Sequence, residues 1–226
     1  MWSRMFLTMK MFVVYLLSAL LVYCASDSSN GTVADAPEID SSKLVGVSAK
    51  WLRNYDLVAP EDMTENPFEL YGKYWPLITA GTPDDFNTMM IGWGTLGALW
   101  QKPVATVYVR NSRYTYGFME RNGLFVISVF PLSLRDEAMV YGSRSGRNTN
   151  KEEMSGFKTI TTPLGLVSYE EATMIIECKK IYADKIDIRK FTSAYRDEIT
   201  DRYEYKDGGT IHTQYIAEIE RIWIKK

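Results

Sequence analysis

The stretch PVATVYVRNSRYTYGFMERNG, residues 103 to 123, passes from one kind of structure to another within a few positions. Pro103 to Val109 is apolar and rich in β-branched residues, the composition of a strand buried on a sheet. Ser112 then stands where a helix N-cap is expected, Tyr114 to Arg121 reads as helix, and Asn122-Gly123 ends it. Two guanidinium groups, on Arg110 and Arg113, and the hydroxyls of Ser112, Tyr114, Thr115 and Tyr116 crowd this junction. Exposed amides at a helix start, the positive end of its dipole and such side chains together make a phosphate site. The same residues also read as an ordinary N-cap flanked by surface arginines.

The sequence on either side repeats the strand signal. Leu124 to Phe130 (LFVISVF) predicts a buried strand, and Trp75 to Gly81, Thr88 to Trp93 and Val104 to Val109 predict three more. Tyr169 to Tyr182 carries one or two strands, and Tyr215 to Ile224 alternates as an edge or half-buried strand does. Leu132 to Tyr141, after Pro131, predicts a helix stopped by Gly142, and Leu44 to Asp56 a short one with Trp51 and Leu52 facing inward. Many strands and few, short helices predict a mainly β fold, a barrel or sandwich with helices packed outside. The 226 residues, 46% of them apolar, suffice for one domain of ordinary size.

A net charge of -2 argues against a nucleic-acid partner, so the Arg110/Arg113 cluster is a local feature that suits a small anion. Cys24 and Cys178 make no disulfide framework; Cys178 lies in an apolar run and reads as a buried thiol. Arg4 and Lys10 precede the apolar run Met11 to Cys24, the pattern of a signal peptide over 1–24, followed by a polar linker over 25–43 and the domain over 44–226. The Leu-Val-Tyr-Cys24 ending is that of a bacterial lipoprotein signal, although Tyr23 replaces the usual small residue; simple cleavage and an uncleaved anchor are the alternatives. Each predicts an exported protein, periplasmic or held at the membrane.

Gly92-Trp-Gly94-Thr-Leu-Gly97 matches the dinucleotide fingerprint by letter only. That motif must open a long helix with an acid about 20 residues on, and here Pro103 and the next strand follow almost at once. The glycines read better as close approach of backbone to a flat ligand or a neighbouring strand. His212 is the single histidine, so a histidine-based metal site or a serine triad has no material; it reads as a surface or interface residue. Any enzymatic chemistry would come from a cofactor. Gly142-Ser-Arg-Ser-Gly-Arg-Asn-Thr-Asn-Lys151 is a second polar segment rich in donors and without acids. It reads as a solvated loop or as part of a phosphate site, and two such segments favour a phosphorylated ligand.

Taken in order, Phe86-Asn-Thr-Met-Met-Ile-Gly-Trp-Gly94, Trp100-Gln-Lys-Pro103, Val107 to Thr115, Gly142 to Arg147, Tyr169-Glu-Glu-Ala172 and Glu177-Cys-Lys-Lys180 resemble the flavin reductase-like family, flavoredoxin type. The resemblance covers about Phe68 to Ile224. It implies a Greek-key split β-barrel with a few short peripheral helices, a homodimer, and FMN near the subunit interface with NAD(P)H as a donor. It also implies that Asn87, Thr88, Met89, Met90 and Trp93, with Gly94 and Thr95, lie against the isoalloxazine. Arg110, Ser112, Arg113, Tyr114 and Thr115 would hold the ribityl phosphate, and Ser143, Ser145 and Gly146 would close over the cofactor. Met90 and Gly92 stand where the family usually has Thr and often Ser, which removes hydroxyl contacts. The implied function is an FMN-dependent oxidoreductase; the alternative is a non-enzymatic flavin-binding electron carrier at the cell envelope. A barrel that binds no flavin is a third reading, opposed by Arg110, Ser112, Arg113 and Thr115.

Overall fold

The computed structural model describes residues 50–205 and 211–226, all within one compact unit spanning Ile39–Lys226. The expected signal segment, Cys24 and the linker lie outside the described residues. The architecture is a mainly β split barrel with a few short helices outside it. Its main sheet runs in the order β3 (Asp85–Met90), β2 (Leu77–Thr82), β6 (Leu124–Val129), β9 (Met174–Lys185), β10 (His212–Lys225), β5 (Lys102–Arg110), β4 (Gly94–Leu99). A short β1 (Tyr55–Val58) adds to β10, and β7 (Thr159–Thr161) and β8 (Val167–Tyr169) form a separate pair. Four helices are used below: α1 (Tyr114–Arg121), α2 (Arg135–Ser143), α3 (Lys151–Ser155) and α4 (Ser193–Ile199).

The near-continuous apolar runs reflect strands that are covered on both faces. Ile78, Ala80, Phe125, Ile127, Ile176 and Cys178 point into the barrel. Their neighbours Leu77, Val126 and Ile175 point outward, into a second core built from Trp51, Tyr55, Phe130, Tyr141, Phe157 and Tyr169. Phe130 and Phe157 stack at 4.8 Å between centroids there. Two-sided burial erases the period-2 alternation and leaves LFVISV.

The alternation of Tyr215 to Ile224 is real, but the strand is central. β10 pairs with β9 along its length, with β5 from His212 to Glu218 and with β1 from Ile222 to Lys225. Tyr215, Ala217, Ile219 and Ile222 enter the core, while Glu218, half-buried and paired with Lys102, and the exposed Glu220 stay on the barrel exterior. Hydrogen bonding on both sides and exposure of one face are independent properties of a strand. The helix expected over Leu44 to Asp56 shrinks, within the described residues, to a single 3-10 turn, Trp51–Asn54. Trp51 is buried, and Tyr55 already begins β1.

The glycine-rich stretch is β4, a strand and not a helix. Only one of its three glycines is required by space. A Cβ on Gly94 would fall 2.3 Å from the Tyr71 ring and 2.8 Å from the Thr106 carbonyl, whereas Gly97 faces open space and Gly92 makes ordinary contact with Trp75. The Tyr71 ring and the backbone of the neighbouring strand β5 set the need for Gly94. The β4–β5 hairpin turns through Trp100 and Gln101, both left-handed at φ 50 and 61. This matches the twist of a two-residue hairpin, but without glycine it costs about 1–2 kcal/mol per residue.

Gly94→Ala should therefore lower stability by about 1–3 kcal/mol, the usual scale of overpacking. Gly97→Ala should be close to neutral. Urea unfolding of the two variants checks this, and equal midpoints would remove Tyr71 as the constraint.

Candidate functional site

β5 delivers its last residue, Arg110, to a tight turn in which the Arg113 amide donates to the Arg110 carbonyl at 3.0 Å. The N-cap of α1 is Arg113, extended at φ -76 and ψ 139, and not Ser112. Ser112 is spent inside the turn, one residue too early for its hydroxyl to serve the helix. No side chain caps α1, so the amides of Tyr114 and Thr115 have no partner among the described residues.

These amides open into a cleft of ≈ 180 Å³ between the start of α1, strand β3 and the loop after α2. Among the described residues no acidic side chain lines it, while Arg113, Arg144, Arg147 and Lys151 do. The walls are fixed by short contacts. Asn87 Nδ2 donates to Thr115 Oγ1 at 2.6 Å, which leaves the Thr115 O–H free to donate. Gly146 presses on the other end of that amide: a Cβ there would sit 2.0 Å from Asn87 Oδ1. The Arg147 guanidinium bridges the loop to the helix, donating to the Ser112 carbonyl at 3.4 Å and lying 5.2 Å from the Tyr114 ring. The Ser143 hydroxyl donates back to the Met139 carbonyl at 2.9 Å, and Ser145 Oγ accepts from the Arg147 amide at 3.3 Å.

Lys151 is the least expected member. It is only 3% exposed, and its ammonium donates to the Thr88 carbonyl and lies 5.8 Å from the Tyr141 ring. Burial pulls its pKa down to about 8, against an upward pull from Glu152. Asn150 caps α3 by accepting from the Glu153 amide, so Lys151 enters the protein at the first helical position.

Of the residues singled out in the sequence, the cleft gathers Asn87, Met89, Met90, Ser112, Arg113, Tyr114, Thr115, Ser143, Ser145 and Gly146. Five others lie elsewhere. The Thr88 hydroxyl turns into the outer core, to Thr79 at 2.9 Å and Tyr169 at 2.7 Å. Gly94 packs under Tyr71, and Thr95 is exposed on β4. Arg110 lies 5.8 Å from the Tyr203 ring, and Trp93, 52% exposed, packs edge-on against Tyr203 and His212. His212 is a buried residue and not a surface one: it opens β10 opposite Arg110 and is 8% exposed. Burial first, then the charges of Arg110 and Arg113, lower its pKa to about 4, so it is neutral at pH 7. Tyr141, Gly142, Arg144, Arg147 and Lys151 are cleft residues that sequence reasoning did not select. The acid-free segment 142–151 was the available signal, but nothing in it marks Lys151 as buried.

No curated protein matches the chain at the level of sequence. Among solved structures it is similar to an FMN-binding domain of a flavin reductases-like enzyme from Shewanella baltica OS155, with a TM-score of 0.53 and 19% identity over 76% of this chain and 78% of that one. It is also similar to a flavoredoxin from Methanosarcina acetivorans, with a TM-score of 0.52 and 18% identity over 67% and 68%. Flavoredoxin of Desulfovibrio vulgaris (Miyazaki F) gives a TM-score of 0.51 and 24% identity over 67% and 69%. At these identities the likeness is one of fold. Sequence membership comes from residues 71–226, which match the flavin reductase like domain and take in every strand except β1. With the barrel, the uncapped α1 and that match together, the chain belongs to the flavin reductase-like domain family.

Proposed function

We propose that this protein binds FMN in the α1 cleft and works as a flavin-dependent oxidoreductase. The observation that carries the reading is the acid-free cleft, in which uncapped helix amides and four basic side chains converge. The donor set fits a phosphomonoester: the amides of Tyr114 and Thr115, the hydroxyls of Ser112 and Thr115 and the guanidinium of Arg113 would hold it. Arg147 would close the loop over it. Asn87, Met89 and Met90 on β3 would flank the ring system, and Lys151 would offer its two remaining N–H donors from the cleft floor.

FMN supplies two-electron redox chemistry when bound. The chain's part is to bind, orient and exclude water, which agrees with a site that holds no acid or base pair. NAD(P)H is the proposed hydride donor. The electron-carrier reading keeps the same site without NAD(P)H turnover; the signal-like segment ending at Cys24 favours it, because NAD(P)H is a cytoplasmic donor. Export, with lipidation at Cys24, is part of the same proposal. A cleft of ≈ 180 Å³ is smaller than the ~300–1,000 Å³ of sites that enclose a ligand of this class. A second copy of the chain, covering the exposed part of the flavin, would complete it.

Replacing Arg113 by Ala should weaken FMN binding by about 1.5–3 kcal/mol, the scale of a hydrogen bond to a charged group. Riboflavin, which has no phosphate, should be nearly indifferent. Fluorescence titration of both ligands decides, and equal losses would move the phosphate elsewhere.

Lys151 gives a pH signature. Its folded pKa of about 8 lies below the unfolded value of about 10.4. The folded state therefore disfavours the proton, and stability rises as pH increases from about 8 to about 10.4. Relative to Lys151→Met, the flavin-free chain should gain stability across that window in urea unfolding, and its FMN affinity should fall as pH passes 8. Parallel stability curves for the two proteins would show that Lys151 is solvated.

If flavin sits at a subunit seam, dilution to monomer should release it and added FMN should favour the dimer. Sedimentation read at protein and flavin wavelengths tests this. Flavin that travels with a stable monomer would mean that one chain builds the whole site.

A further inference from the structure

β9 and β10 are antiparallel neighbours whose ends meet, Lys185 opposite Thr213, and the Ile186 amide still donates to the His212 carbonyl at 3.0 Å. A hairpin could join them in about two to five residues. The chain instead spends residues 186–211 there, through a 3-10 turn, α4 and a π turn that begins at Thr200. The connection is thus far longer than joining the two strand ends requires. It brings Tyr203 back against the first residue of β10.

The rings of Tyr203, Trp93 and His212 form a closed set of edge contacts. Centroids lie 5.9 Å apart for Trp93–Tyr203, 5.0 Å for Trp93–His212 and 5.2 Å for Tyr203–His212, with interplanar angles of 85°, 73° and 85°. Each ring thus restricts the rotation of the other two, and the edge-to-face geometry is the favoured one for aromatic pairs. The set is linked to the cleft through two chain segments. Trp93 follows the cleft residue Met90 by three positions, and His212 lies across the β5–β10 ladder from Arg110, which leads into Arg113. Arg110 on β5 and Arg113 at the head of α1 are the charged groups acting on the imidazole, whose side-chain nitrogens have no hydrogen-bond partner among the described residues.

We propose that Tyr203 is a positioning residue of the cleft: its ring holds Trp93 and His212 edge-on beside it and keeps water from the imidazole. The proposal rests on the flavin reading only where it connects this cluster to the redox site. Tyr203 touches no reacting group itself. It acts by holding the exposed indole in one orientation and by keeping His212 a neutral group with an unused donor and an unused acceptor.

The single histidine makes the test direct. Imidazole NMR titration of the flavin-free chain should find His212 uncharged down to about pH 4 in the native protein and in Tyr203→Phe, which keeps the ring. In Tyr203→Ala the midpoint should climb toward the ordinary value of about 6.5, and the Trp93 indole resonance should move. An unchanged His212 midpoint in the Ala variant would overturn the proposal, as would a Phe variant that behaves like Ala. In the FMN-loaded chain the flavin midpoint potential should shift in Tyr203→Ala and not in Tyr203→Phe. A potential unmoved in both would confine Tyr203 to a structural role and sink the link to the site. If no variant binds FMN, the flavin reading fails, while the histidine titration still decides what Tyr203 does.

Discussion

The long pairing of β9 with β10 is the constraint on which the rest of the fold depends. Two register shifts, between Ile216 and Ala217 and between Ile219 and Arg221, break the ladder without ending it. Bulges of this kind bend a strand and increase its twist. The bent β10 can then serve β5 with its first half and β1 with its second, and the sheet wraps around Tyr215, Ala217, Ile219 and Ile222 instead of continuing flat. The same bend sets the end of β5 beside the start of β10. That is why Arg110, Arg113 and His212 share one corner of the molecule.

The cleft at that corner is electrostatically incomplete by itself. Arg113, Arg144, Arg147 and Lys151 border it with no carboxylate among them. Lys151 is worse placed than the arginines, because removing an ammonium from water is costly unless it is well paired, and a single carbonyl, the Tyr141 ring and the pull of Glu152 are modest compensation. The burial of that ammonium is a cost that packing alone does not explain.

What the sequence revealed and what it concealed follow from how each feature is encoded. The limits of α1 are marked by the turn before Tyr114 and by Asn122, and β6 by an unbroken apolar run, so local chemistry sufficed. β4 was concealed because Gly-Thr-Leu-Gly-Ala-Leu lacks β-branched bulk, and β1 because Tyr-Asp-Leu-Val becomes a strand only when β10 is present to pair with it. The arginines and serines around α1 were legible as donors before any fold was known. Lys151 and Tyr203 were not, since a lysine at a helix start and a tyrosine in a charged segment acquire meaning only when distant strands place them. The central position of β10 was hidden for a related reason: alternation reports which face meets water and says nothing about which edges are bonded.

The path from β3 to β4 has two ends, and they are finished differently. β3 has α1 and α2 packed against it, and the Thr88 carbonyl is already taken by Lys151 and Asn87. No foreign strand can add there without displacing a buried ammonium. Among the described residues β4 pairs only with β5, exposes Thr95, Gly97 and Ala98, and is followed by the exposed Trp100. An open strand edge is a template for more strand. Addition of backbone to this sheet is thus polar: a lysine blocks the β3 rim, while the β4 rim is open among the described residues.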